Sequence, residues 1–343
     1  MPNALLVALR ERPAFKNLRA ADLRSLPATG TAHGHVRLPK GLLARVAYAH
    51  DNDATAAMRL YAQAEAFRHL LPAGRTPRLH EVIERRPGLP GGALIVDFIE
   101  GHAPRLPQDL GAMAETLVRI HGLPLPPSGS PIPRQVNPFL EILEGVELNA
   151  MRFLDKAVPD SGSRAEIAEE LRDMRGMALA LGRQAQPLTL ALADTHPGNF
   201  IVDKKGVAWF VDLEKVHVGS PAVDLAHAIL PTSTLWHPDV GKLLTRREVE
   251  QFYEFYLARI GSKPAAALRP WLVPMRRLTW LRTTLFMARW RVETRAPRDP
   301  ANTTQWSNAG LDPKMKRHID ARIDLCFGRE TIRAIRSGWI GQG

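Results

Sequence analysis

LALADTHPGNFIVDKKGVAWFVDLEKVHVGSPAVDLAH (Leu190–His227) sets Asp194, Asn199, Asp212, Glu214 and Asp224 among short strand-like runs. The runs LTLALA, NFIVD and VAWFVD are rich in residues that suit a pleated, half-buried surface. DKKG (Asp203–Gly206), between the last two, reads as a hairpin turn. A hairpin lays its second strand back along its first. Asn199, entering one strand, and Asp212, leaving the other, are therefore expected side by side at one end of the pair. An amide oxygen beside a carboxylate is the hard donor set that Mg2+ takes, completed by water and phosphate oxygens. Asp194, at the turn leading into the hairpin, then stands ready to orient or deprotonate an attacking hydroxyl. A metal clamp and a carboxylate on the nucleophile are the parts that phosphoryl transfer needs. Singly, each of these residues is an ordinary turn or cap residue. The conjunction of strand, D-x4-N, hairpin and D-x-E carries the reading.

The same block resembles the catalytic block of the aminoglycoside phosphotransferase and choline kinase superfamily, whose fold is protein-kinase-like. The family pattern is H-G-D-x-H-x-x-N, a hairpin, I-D-W/F-E, then G-D-P-x-x-D-L-A. The resemblance implies an α+β, two-lobed fold with a small mixed N-lobe and a larger, mainly helical C-lobe. It assigns Asp194 to the catalytic-base position and Asn199 and Asp212 to Mg2+. It makes Glu214 and His196 further site residues, and Asp224 the helix-opening acid that braces the catalytic loop. Leu192 and Ala193 replace the usual His-Gly, and Ser220 stands where the family often has Asp. None of these departures removes a metal ligand or the base.

Working outward, the resemblance asks the N-terminal part for a basic strand residue on the α/β-phosphates, paired with a helix Glu. Arg45 in LLARVAYA and Glu65 in AQAEAFRHL occupy those places. A guanidinium binds phosphate bidentately, so Arg for the commoner Lys is chemically tolerable. ATGTAHGHVRLP (Ala28–Pro39) is where a phosphate-covering hairpin belongs, with Gly30 and Gly34 compatible with it. ALIVDFIEG (Ala93–Gly101) resembles the strand and hinge that hold adenine through backbone groups, at Phe98, Ile99 and Glu100. The expected division is 1–101 for the nucleotide-binding lobe and 102–343 for the lobe with catalytic loop and acceptor site. Helical patterns cover Asp53–Leu71, Pro107–Leu123, Phe139–Lys156 and Ser163–Gln184. From about Arg246 onward the pattern is helical but interrupted by prolines.

The 343 residues suffice for two lobes, and 45% hydrophobic with 24% charged residues is the profile of a globular chain, not a disordered one. The most apolar stretch, LVPMRRLTWLRTTLFMARW (Leu272–Trp290), is broken by Arg276, Arg277, Arg282 and Arg289, so no membrane span is expected. A single cysteine, Cys326, excludes intrachain disulfides and suits a reducing cytoplasm. The net charge of +11 is widely spread. Its mild concentration over Lys314–Arg336 reads as a solvated helix face, with no finger or arginine-rich arm for specific nucleic-acid binding.

The expected activity is transfer of the γ-phosphate of ATP, with Mg2+, to a hydroxyl of a small molecule: aminoglycoside, amino alcohol or sugar-like. Cationic acceptors need acidic or aromatic pockets, which FLEILEGVELN (Phe139–Asn149) and Trp271, Trp280 and Trp290 could furnish. The alternative is a catalytically weak or inactive nucleotide-binding protein of the same fold.

Overall fold

A period of two builds the N-terminal sheet. In the computed structural model, which describes residues 2–27, 33–48, 53–299, 305–308 and 311–339, it has five strands. These are β1 (Arg24–Ser25), β2 (His33–Leu38), β3 (Leu42–Ala47), β4 (Leu79–Ile83) and β5 (Ala93–Asp97). All pairs are antiparallel, in the order β1-β2-β3-β5-β4. Ala44 and Val46 of β3 join a small core with Leu5 and Leu9 of α1 (Pro2–Arg10) and with Val36, Ile83 and Ile95. Alternation turns the intervening Arg45 to the other face, where α2 (Asp53–Leu70) packs. There Leu60, Ala64 and Phe67 meet Leu94 and Val96 in the main core. Gly34 lies in β2, whereas Gly30 falls outside the described residues.

After β5 the chain crosses into a mainly helical lobe. Gly101 lies so close to the Val202 carbonyl that a Cβ would overlap it, and His102 exchanges two backbone hydrogen bonds with Val202, at 2.8 and 3.0 Å. Helices α3 (Leu110–His121), α4 (Pro138–Ala157) and α5 (Ser161–Leu181) precede two small sheets. β6 (Thr189–Ala191) is bracketed to β9 (His217–Gly219), and β7 (Phe200–Val202) turns directly into β8 (Ala208–Phe210). The β7–β8 turn closes as its residues predict. Asp203 Oδ1 accepts from the Lys205 and Val207 N–H groups at 2.8 and 3.0 Å, and Gly206 takes the positive φ of +75°.

The rest is α6 (Pro221–Ile229), α7 (Pro231–Thr234), α8 (Arg246–Ile260), α9 (Ser262–Arg295), α10 (Pro313–Phe327) and α11 (Arg329–Ser337). The expected interruption by proline does not occur in α9, which runs through both Pro270 and Pro274. Proline removes a helical N–H and strains the preceding turn. Here Leu268, Trp271, Met275, Leu278, Leu281, Leu285 and Ala288 form a buried stripe at helical spacing, and its packing holds the helix together. Trp271, Trp280 and Trp290 belong to this core, and none of them lines the cavity found in this lobe.

The basic C-terminal stretch is not merely a solvated face. Arg336 ion-pairs with Glu166, Glu169 and Glu170 of α5, and Arg277 of α9 reaches Glu170 at 2.6 Å. Among the described residues no helix is long and apolar enough to cross a membrane.

Candidate active site

Asp224 opens α6 with its carboxylate fully buried. Its Oδ2 accepts from the Leu192 N–H at 2.6 Å and its Oδ1 from the Ala193 N–H at 2.8 Å. His121 Nε2 lies 3.0 Å from Oδ2, and His121 Nδ1 lies 2.8 Å from the Tyr256 hydroxyl. The assignment that satisfies all four groups has Nε2–H donating to the carboxylate and the tyrosine donating to Nδ1. The Thr195 hydroxyl adds a bond to the Asp224 carbonyl at 2.6 Å. One acid thus grips the three residues around Asp194. The grip holds a strained residue: Ala193 has φ +63°, a region that glycine enters freely and alanine does not. Arg282 of α9 donates to the Ala193 carbonyl, so this residue is tied on both sides.

Asp194 follows at the edge of a cavity of about 360 Å³. Burial by itself would push its carboxyl up. The charge of Lys215, with smaller contributions from His196 and His227, outweighs burial and holds it far below the usual carboxylate range. Lys215 Nζ is 2.6 Å from Oδ2, while His227 Nδ1 and His196 Nε2 stand 3.8 and 4.0 Å from Oδ1. Burial pushes the His227 imidazole down to about 3, so it is neutral near neutral pH.

Asn199 donates its side-chain N–H to the Asp194 carbonyl at 2.8 Å. Its own carbonyl accepts from the Val211 N–H at 3.0 Å, which brings Asp212 beside it at the mouth of the hairpin. Asp212 Oδ1 receives Arg45 Nη2 at 2.6 Å, and Arg45 Nη1 donates to the Val211 carbonyl. Burial would raise the Asp212 carboxyl; Arg45 and His33 bring it below its ordinary value. Glu214, 3.5 Å from His33, is pushed up to about 7 by burial and by the charge of Asp212.

One expected pairing is corrected. Glu65 does not meet Arg45; it pairs with Arg68 one turn along α2 at 3.7 Å, and Arg45 pairs with Asp212 instead. The guanidinium fork reaches across to a buried carboxylate and a backbone carbonyl together, while Glu65 finds a cation at i+3 on its own helix. At the hinge, the Phe98 N–H is already donated to the Gly41 carbonyl at 2.8 Å, so Phe98 has only its carbonyl to offer a ligand. Arg37 pairs with the Glu100 side chain at 2.7 Å and lies over the Phe98 ring at 4.2 Å; Ile99 is half-buried.

The geometry suits Mg2+. Asn199 has committed its N–H, which leaves the amide oxygen as acceptor, and Asp212 has given Arg45 only one of its two oxygens. Among the described residues no three His, Cys, Asp or Glu gather into an all-protein metal cage. A few protein oxygens completed by water and phosphate is what this ion prefers.

A family model described as the phosphotransferase enzyme family matches residues 36–271. The chain belongs to that family. Its fold is the two-lobed, kinase-like one of the family's solved structures. A choline/ethanolamine kinase family protein from Mesorhizobium loti aligns over 99% of this chain and 100% of its own, with TM-score 0.58 and 18% identity. An ethanolamine kinase from Plasmodium vivax aligns over 94% and 85%, with TM-score 0.60 and 15% identity. The GDP and kanamycin complex of APH(2'')-IIIa aligns over 96% and 98%, with TM-score 0.59 and 13% identity. A search of curated sequences found no match. Within the family block, Lys215 is the residue that sequence reasoning overlooked. Its signal was its place directly after D-x-E, a cation next to the acids it serves.

Proposed function

We propose that this phosphotransferase moves the γ-phosphoryl group of ATP to a hydroxyl of a small molecule, with Mg2+. One observation carries the reading. Hydrogen bonds join Asp194, Asn199 and the Val211–Asp212 segment into one unit beside an open cavity. In this reading residues 1–101 form the nucleotide lobe, and 102–343 carry the catalytic loop and the acceptor cavity.

When bound, Mg2+ on Asn199 and Asp212 supplies charge neutralisation for the nucleotide phosphates. The chain's own groups do the rest. Arg45, sitting on Asp212, faces the phosphates from the sheet. Phe98 O, Ile99 and Glu100 present hinge backbone to the base. Asp194 accepts a hydrogen bond from the acceptor hydroxyl. A carboxylate held so acidic is a weak base in the ground state, so it first aims the oxygen lone pair. The hydroxyl oxygen bonds to the γ-phosphorus as the bridging P–O bond breaks, ADP departs, and the hydroxyl proton passes to Asp194 late, as charge leaves the oxygen. His196 and the neutral His227 flank the carboxylate, and Glu214 stands behind Asp212.

The test is release of ADP or GDP from Mg-ATP or Mg-GTP across pooled hydroxyl compounds, with Asp194→Asn alongside. Acceptor-dependent release that vanishes in the variant supports the reading. Nucleotide binding without turnover in any pool favours the inactive alternative; absence of nucleotide binding refutes the reading outright.

A further inference from the structure

The cavity beside Asp194 is unusual in its charge. This inference rests on the reading above, in which that cavity takes the acceptor. Three cationic side chains line it, Lys215, Arg282 and Arg289, against the single carboxylate of Asp194. Asp194 is already held by Lys215, and Arg289 pairs with Glu293 at 2.9 Å. Arg282 is different. Its one hydrogen bond within the described residues goes to the Ala193 carbonyl, and no carboxylate among them lies within 4.0 Å. A guanidinium has five N–H donors, and withdrawing such a charge from water is unfavourable unless a partner compensates. Three further polar atoms of the cavity wall are buried and lack a hydrogen-bond partner among the described residues: Ser233 Oγ, His227 Nδ1 and His196 Nδ1.

A cationic acceptor would need the opposite lining. The aromatic rings at the cavity are Trp236, Phe286 and Trp306, and Arg289 already sits 4.4 Å over Trp306. Residues 300–310, around Trp306, contain no acidic side chain. Polyamines such as kanamycin would meet like charge here, with no carboxylate besides Asp194 among the described lining residues.

We infer that the acceptor is a hydroxy compound bearing an anionic group, carboxylate or phosphate, held by Arg282 while its hydroxyl lies at Asp194. The carbonyl bond from Arg282 to Ala193 fixes the guanidinium against the catalytic loop, so the distance from anion to hydroxyl is set by the backbone. Ser233 and His227 offer hydrogen bonds to the intervening polar atoms.

The experiment needs no nucleotide. Tryptophan fluorescence of the full chain is followed while matched probes are added at constant ionic strength: gluconate against glucose, glycerol 3-phosphate against glycerol, with choline and kanamycin as cations. At least one anionic probe is expected to bind about tenfold tighter than its neutral partner, and the better of the two names carboxylate or phosphate. Arg282→Met should remove that preference, and Arg282→Lys, which keeps the charge, should restore part of it. Thermal melts report whether each variant folds. Should the Met variant fail to fold, the wild-type preference and its loss as salt rises to about 0.5 M carry the comparison. A neutral or cationic probe binding as tightly as its anionic counterpart, or no binding by either anionic probe, overturns the assignment. A parallel Mg-ATP titration separates the two readings, because missing nucleotide binding sinks the phosphotransferase while the anion preference is still measured.

Discussion

Asp224→Asn tests the brace of the catalytic loop by exchanging one oxygen for an NH2 group at constant size. The carboxylate now receives three donors: the Leu192 and Ala193 amides and the imidazole of His121. The two amides point at different oxygens. Whichever way an asparagine turns, one of those N–H groups faces another donor in a site closed to water. An orphaned buried donor costs about 1–3 kcal/mol, and the surviving bonds fall from charge-assisted to neutral strength, roughly 1 kcal/mol each. The expected loss of unfolding free energy is therefore about 3–4 kcal/mol, read from urea midpoints at unchanged slope. Because Ala193 is held at an unfavourable φ, the freed loop relaxes and carries Asp194 with it. Phosphoryl transfer should then fall by about 100-fold, since displacements of an ångström at reacting groups have that effect. Nucleotide affinity, which the proposed reading places at Arg45 and the hinge, should change far less. A variant that loses under about 1 kcal/mol and keeps its turnover would refute the claim that this acid holds the loop.

Three other outcomes follow from the same geometry. Ala193→Gly removes the Cβ at φ +63° and should raise stability by about 0.5–1 kcal/mol, measured by chemical denaturation; destabilisation would contradict the strain. Cys326, buried and with its thiol pushed up to about 12, should resist an aromatic disulfide reagent in the folded protein and react once in denaturant. Stability should fall in mild acid. Burial, helped by Arg45 in the first two cases, places His33 near 3, His35 near 4 and His227 near 3, so each is neutral when folded but protonates near 6.5 when unfolded. That penalty is absent above about pH 6.5 and grows as the pH drops toward 4. Glu214, at about 7, works in the opposite direction between about 7 and 4.5. From these four groups alone the unfolded chain holds about two more protons near pH 5, roughly 2–3 kcal/mol per pH unit, which urea titrations at several pH values check.

What could be read from the residues was local. The hairpin through DKKG, the approach of Asn199 to Asp212, and the position of Asp194 all lie within one segment whose turn chemistry sets the geometry. The resemblance asks for a cation on that strand and puts Arg45 there paired with Glu65, whereas the structure pairs Arg45 with Asp212. Glu65 and Asp212 are both carboxylates within a plausible reach, and only the tertiary arrangement says which one the guanidinium meets. The cavity beside Asp194 was the least legible part. Asn149, Ser233, Trp236, Arg282 and Trp306 come from three helices and two connecting segments, and no periodicity ties them together. The arginines of Leu272–Trp290 told only against a membrane span. In the fold they take separate tasks, Arg277 on Glu170 and Asp173, Arg282 on Ala193, and Arg289 over Trp306.

The tie between Arg282 and Ala193 has a consequence for biosynthesis. The two residues are separated by 89 positions, so at about 5–20 residues per second the ribosome adds the second several seconds after the first. A nascent chain that has emerged through α8 already carries Asp194, Asn199 and Asp212 but lacks the guanidinium that clamps the loop from above. Docking of α9 therefore adds its long buried stripe to the core of the helical lobe and completes the backbone geometry at Asp194, leaving α10 and α11 to close that core.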